Sequence, residues 1–217
     1  MEAEPHYQTP RAKRADLIVH LAGLGLALLG AGVLIGLSIG PGGAGRLLAV
    51  IIYALGLLAM LGLSTAYNFA SKPYQPVLRR LDHAGIFLMI AGSYTPFTTQ
   101  HLTGVWAWGM TTAVWTIALL GAAAKLGLPG LSKGFWVFVY LAMGWLIVVA
   151  LKPMFPSIGL APVILLAVGG LLYTVGVGYY ANKRLRYRRA LWHGHVVAAA
   201  AVHWSAVLLA VLRGRPV

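Results

Sequence analysis

Cysteine is absent from this 217-residue chain, which excludes disulfides and thiolate metal sites. Acid is scarce as well: four Asp and Glu stand against 17 Lys and Arg, for a formal net charge of +13. Charged residues make up only 10% of the chain and hydrophobic ones 59%, too little polar surface to cover a soluble globule. Strict alternation of apolar and polar residues is missing too, and with it the signature of a membrane barrel. No secretory signal peptide is expected, because the first sixteen residues are polar and the first apolar run is long enough to span. No internal repeat is evident, which argues against a transporter of duplicated halves. The loops are too short to hold a separate soluble domain.

What fills the chain is apolar, with a mean hydropathy of +0.80. A hydrocarbon core of about 30 Å takes roughly 20 helical residues per crossing, and continuous runs satisfy their backbone there only as helices. Seven such runs are predicted, at about Leu17–Ile39, Leu47–Tyr67, Leu81–Thr99, Gly104–Leu126, Phe135–Leu151, Ile158–Tyr180 and Ala190–Leu212. The expected fold is an all-α membrane protein, a seven-transmembrane-helix bundle. Residues 1–16 form a cytoplasmic tail, 17–212 the transmembrane domain and 213–217 a short external tail. Small residues within the runs, such as Gly23, Gly30, Gly169 and Gly176, mark close helix packing.

Excess basic charge raises the question of nucleic acid, and its distribution answers it. Arg11, Lys13, Arg14, Lys72, Arg79, Arg80, Lys125, Lys133, Lys183, Arg184, Arg186, Arg188 and Arg189 fall on one side of the alternating spans. Only Arg46, Lys152, Arg213 and Arg215 fall on the other. That asymmetry follows the positive-inside rule with the N-terminus in the cytoplasm and the C-terminus outside. The partners expected are membrane lipids, with a lipid-like ligand in the bundle and no nucleic acid; the sixth loop is placed to touch anionic headgroups.

Polar side chains inside spans are costly and are candidate functional groups by default. His20, Ser64, Asn68, Asp82, His83 and His193 all fall near the cytoplasmic ends of their helices. Asp82 can either serve a site or cap its helix and pair with Arg79. Ser64 and Asn68, four apart on one face, suit a shared site or ordinary interhelical hydrogen bonding. His83 points away from Asp82, and His195 away from His193. His203, about 15 Å deeper than His193, reads as a hydrogen-bonded core histidine. His6 and His101 lie outside the spans and carry no signal.

Several segments carry a resemblance: Arg80-Leu81-Asp82-His83 through Ile90-Ala91-Gly92-Ser93-Tyr94-Thr95-Pro96-Phe97, then Ser64-Thr65-Ala66-Tyr67, His20, Trp192-His193 and His203-Trp204. Across nearly its whole length the chain resembles the hemolysin III family, the bacterial branch related to progestin and adiponectin receptors and alkaline ceramidases. That resemblance implies a zinc ion near the cytoplasmic helix ends, held by one histidine of the second helix and two of the seventh. A serine and an aspartate support its water. Carried over, the metal ligand is His193, and Ser64 and Asp82 are the candidate catalytic, water-positioning groups. Asn68 and Arg189 occupy the other two ligand positions, and Lys13 and Asp16 stand where an acid and an asparagine are usual. An amide is a poor zinc ligand, and an arginine donates only and repels a cation. The zinc site is therefore expected to be degenerate, with His20 or His83 available to rebuild a shell with His193 and Asp82. The resemblance implies a role in membrane or lipid homeostasis at the inner membrane. The alternatives are an intramembrane zinc-dependent hydrolase of amide or ester lipids and, from the family's name, a pore-forming cytolysin. With the cation weakened, Arg189 either turns inward to pair with Asp82, helped by Asn68, or extends outward to the headgroups.

The charge asymmetry sets the first test. A reporter active only outside the cytoplasm should give signal when fused after Val217 and none when placed near Arg186. The reverse pattern would contradict the assignment of sides.

Overall fold

A computed structural model describes residues 6–39, 43–128 and 130–213. Among them the chain is helical throughout, with no strand. The helices are α1 (Pro10–Ser38), α2 (Gly43–Phe69), α3 (Gln75–Gln100), α4 (Gly104–Gly127), α5 (Lys133–Trp145), α6 (Ile147–Ile158), α7 (Leu160–Ala181) and α8 (Arg188–Arg213). One 3₁₀ turn, Lys72–Tyr74, leads into α3.

Five of these helices, and the α5–α6 stretch taken together, are long and apolar enough to cross a membrane. Beyond a buried core that includes Leu34, Leu57 and Met154, many of their large apolar side chains point outward. Ile18 and Leu29 of α1 are 67% and 72% exposed, whereas Asp16 and His20 on the same helix are 0% and 2% exposed. Polar groups turned inward under an apolar exterior suit a lipid surround, since no gain comes from hiding leucine from hydrocarbon.

The third expected span is the exception. At 26 residues α3 is long enough, but Arg79, Arg80, Asp82 and His83 make its first turns polar. Its position explains this tolerance. It packs against α2 and α4 and also touches α5 and α8, so protein rather than lipid covers Phe87, Ala91, Thr95 and Thr98. The polar groups there are matched: Trp115 Nε1 donates to Thr95 Oγ1 at 3.1 Å, and the Thr111 hydroxyl donates to Thr98 Oγ1 at 2.8 Å.

The fifth span is broken at Leu146, between α5 and α6. Tyr94 of α3 fills the break. Its hydroxyl donates to the Met143 carbonyl at 2.8 Å and accepts from the Ile147 amide at 2.6 Å. Backbone groups freed at membrane depth are thus satisfied by protein, as hydrocarbon requires.

The first helix begins at Pro10 rather than near Leu17. The Thr9 side chain accepts from the Ala12 amide, and proline suits the first helical position. This extension carries Asp16 into the bundle. Of the glycines expected to mark packing, a Cβ at Gly23, Gly30, Gly169 or Gly176 would press on Val197, Trp204, His203 and His195 respectively. Close backbone approaches lie elsewhere, where α3 crosses α2: a Cβ at Gly56 would come within 3.1 Å of the Leu88 carbonyl oxygen, and one at Gly92 within 3.2 Å of the Ile52 carbonyl oxygen.

Backbone cannot step aside as a side chain can. Gly92→Leu should therefore lower stability by about 1–3 kcal/mol, read as a drop in thermal unfolding temperature in detergent. Gly25→Ala, with nothing within 4 Å, should be close to neutral. Equal effects would contradict the close crossing.

Candidate metal centre

The polar site lies where α1 and α8 begin and α2 ends. α1 packs on both α2 and α8, and three donor-bearing side chains meet at that junction. Asp16 and His20 are four apart on one face of α1, and His193 faces them from α8. His193 Nδ1 is 2.7 Å from Asp16 Oδ1 and 3.1 Å from His20 Nε2. His20 Nε2 is 3.7 Å from the other Asp16 oxygen. All three residues are buried.

Surrounding hydrogen bonds fix how the protons are arranged. The Thr65 hydroxyl donates to the Leu61 carbonyl at 2.7 Å, so towards His20 Nδ1, 3.1 Å away, it accepts. His20 Nδ1 therefore carries the hydrogen and Nε2 presents a lone pair. His193 Nδ1 must then be the donor to Asp16 Oδ1. One proton lies among three atoms that are otherwise acceptors.

That donor set fits a divalent ion. Ligand atoms about 2.0–2.1 Å from a tetrahedral zinc stand about 3.3 Å apart, and the spacings here lie on either side of that value. All three ligand atoms are within 4.8 Å of one another. Binding an ion would release the shared proton. Thr65 on His20 and Tyr7 on Asp16, whose carboxylate accepts from the tyrosine hydroxyl at 2.6 Å, hold the ligands in place as outer partners do in metal sites.

The family-type position does not fit. Asn68 Oδ1 already accepts from Arg189 Nη1 at 3.1 Å and from His6 Nε2 at 3.0 Å. Arg189 Nε donates to the His6 carbonyl at 2.8 Å and Nη2 to His6 Nδ1 at 3.1 Å. Arg189 thus turns inward rather than to the headgroups. Its partner is not Asp82: among the described residues no ion pair joins the two, because Asn68 and the N-terminal strap take up the guanidinium. Asn68 Nδ2 donates in turn to the Ser64 carbonyl at 2.9 Å.

Of the other expected site residues, Asp82 faces the Ser64 hydroxyl and lies within electrostatic reach of the Arg189 guanidinium. His83 stays apart, flanked by Lys125, Arg79 and Lys133. His203 lies within 3.2 Å of the Leu166 carbonyl, where the ring can donate, next to Tyr173 and away from the triad. The sequence reading missed Asp16 as a ligand and His6 as a neighbour. The Asp16-x-x-x-His20 spacing, one helical turn, was the available signal. For His6 there was none, since chain folding alone lays it across the helix ends.

His6 and Tyr7 form that strap. The His6 ring packs edge-on against Tyr67 at 5.2 Å, and Tyr7 stacks on Phe69 at 6.1 Å. Burial and the Asp16 carboxylate push the Tyr7 hydroxyl up, so it stays protonated and donates. Burial and the Arg189 guanidinium hold His6 below the ordinary imidazole value.

Residues 12–204 match the family described as "Haemolysin-III related". The chain is 32% identical over 201 residues to the "Hemolysin-3 homolog" of Bacillus subtilis (strain 168), covering 92% of this chain and 94% of that one. It is 31% identical over 199 residues to "Hemolysin-3" of Bacillus cereus, covering 91% of each. The human "Monocyte to macrophage differentiation factor" is 29% identical over 163 residues, 72% of this chain and 67% of that one.

The strap carries a pH prediction. Because Arg189 only donates, His6 Nδ1 must stay unprotonated for the strap to dock. The undocked imidazole protonates first as pH falls, so docking is fully stable above about 6.5 and weakens below it. Protection of the amides at residues 6–9, the ratio of the intrinsic to the observed exchange rate at each pH, should fall between pH 7.5 and pH 5.5. Protection that rises or stays constant would contradict this arrangement.

Proposed function

The chain belongs to the haemolysin-III-related family, and on that premise we propose that it is a seven-span inner-membrane protein holding a divalent metal, zinc foremost, at Asp16, His20 and His193. Its N-terminus lies in the cytoplasm and its C-terminus outside, so the centre lies at the cytoplasmic face. Its role is in membrane or lipid homeostasis. The convergence of one carboxylate and two imidazoles, buried and spaced for an ion, carries this reading. The charge asymmetry of the loops supports the orientation. α3 supports the seven-span count, because its polar turns are shielded by neighbouring helices.

The centre has moved by one helix relative to the family pattern. His193 is retained, the first helix supplies the other two donors, and Arg189 closes the old position by binding Asn68. A bound zinc ion would supply Lewis acidity and a more acidic water. The protein's own residues do the rest. Asp16 supplies the negative charge, Thr65 orients His20, Tyr7 holds Asp16, and the His6–Tyr7 strap limits entry of water. Three protein donors rather than four leave one position for a water or substrate, as in catalytic zinc sites. That feature favours the intramembrane hydrolase as the second reading, with Ser64 and Asp82 as water-positioning groups. The cytolytic reading rests on the relatives' names.

Metal analysis of the purified chain after zinc loading should find about one ion per chain. His20→Ala and His193→Ala should each lose it, and Asn68→Ala should retain it. Retention in His20→Ala, or loss in Asn68→Ala alone, would return the ion to the family position or remove it. Comparing membrane lipid profiles of cells producing the parent and His20→Ala tests the lipid role, which predicts a difference.

A further inference from the structure

We propose that the cleft between the α7–α8 connection and the N-terminal strap binds a phosphate-bearing anion. The cleft holds about 130 Å³, against about 30 Å³ for one water in the liquid, so a phosphate group has room. Tyr7, Gln8, Lys183, Arg186, Arg188 and Arg189 line it, and among the described residues no acidic side chain does. The first turn of α8 forms one wall and adds the positive end of its dipole.

The arginines are differently committed. Arg189 is fixed by His6 and Asn68, so its charge is held in place beside the cleft rather than free to swing away. The Arg186 guanidinium lies 5.8 Å over the Tyr187 ring, a contact that orients the fork and leaves its N–H groups for an acceptor. Among the described residues neither Arg186 nor Arg188 has a carboxylate partner. Planar forks repeated within one small cleft are suited to phosphate oxygens. The cleft lies at the end of the membrane-spanning helices, so a phospholipid headgroup and a free phosphate are both within reach. This site shares a wall with the metal centre but does not depend on a bound ion.

The experiment uses the full chain in nonionic detergent at fixed ionic strength. Inorganic phosphate and dihexanoyl phosphatidic acid are titrated separately by calorimetry, with dihexanoyl phosphatidylcholine as the zwitterionic comparison. Saturable one-to-one binding is expected for at least one of the two anions. Arg186→Gln/Arg188→Gln should weaken it by at least about ten-fold. Lys72→Gln/Arg184→Gln removes the same charge from outside the cleft and should change it by no more than about two-fold. Tighter binding of the phosphatidic acid identifies a lipid headgroup, and equal binding identifies a free phosphate. Binding that does not saturate, or that falls equally in both double variants, would show diffuse attraction to a basic surface and overturn the site. Should the cleft variant fail to fold, competition on the parent decides. Displacement of one anion by the other supports one site, and independent binding overturns it.

Discussion

A single buried carboxylate organises the entrance to this bundle. Asp16 is fully removed from solvent, and an unpaired charge there would cost several kcal/mol. Two groups donate to it, the Tyr7 hydroxyl of the strap and His193 of α8, while the His20 lone pair lies 3.7 Å away, one turn along its own helix. The same contacts tie the N-terminal segment, α1 and α8 together. Burying the charge and assembling the donor set are one event, and whatever loosens Asp16 also opens the strap. A cation in place of the shared proton would satisfy the carboxylate more fully than a neutral imidazole can.

The rest of the architecture follows from the solvent. Apolar side chains face outward because hydrocarbon makes no demand to hide them, and polar groups collect on the helix faces turned inward. The least apolar helix, α3, takes the position where neighbours shield it. The break at Leu146 is tolerated because Tyr94 reaches across to satisfy both exposed backbone groups. At that break, where hydrocarbon could not supply a partner, a side chain from another helix does.

The apolar runs were legible because bilayer thickness imposes a length that composition alone reveals, and helices arise close to where they were expected. Helix ends were less legible. A hydropathy boundary at Leu17 marks where lipid contact begins, whereas the helix starts at its cap, Thr9. That difference left Asp16 outside the expected span and hid the donor spacing with His20. The inward turn of Arg189 and its bond to Asn68 were open to the sequence, but not its contacts with His6 in place of Asp82. Asp82 shares the site's charges, yet Asn68 and the His6 carbonyl lie closer to the guanidinium's path. The role of His6 depends on a long-range fold-back of the chain, which no local pattern encodes.

The central claim is that the first helix, not the second, completes the metal shell. X-ray absorption at the zinc edge on the loaded, purified chain tests it most directly. Two imidazole nitrogens and oxygen ligands at about 2.0–2.1 Å are predicted, with the imidazole signal reduced to one in His20→Ala and unchanged in Asn68→Ala. An all-oxygen shell, or an imidazole signal unaffected by His20→Ala, would contradict it.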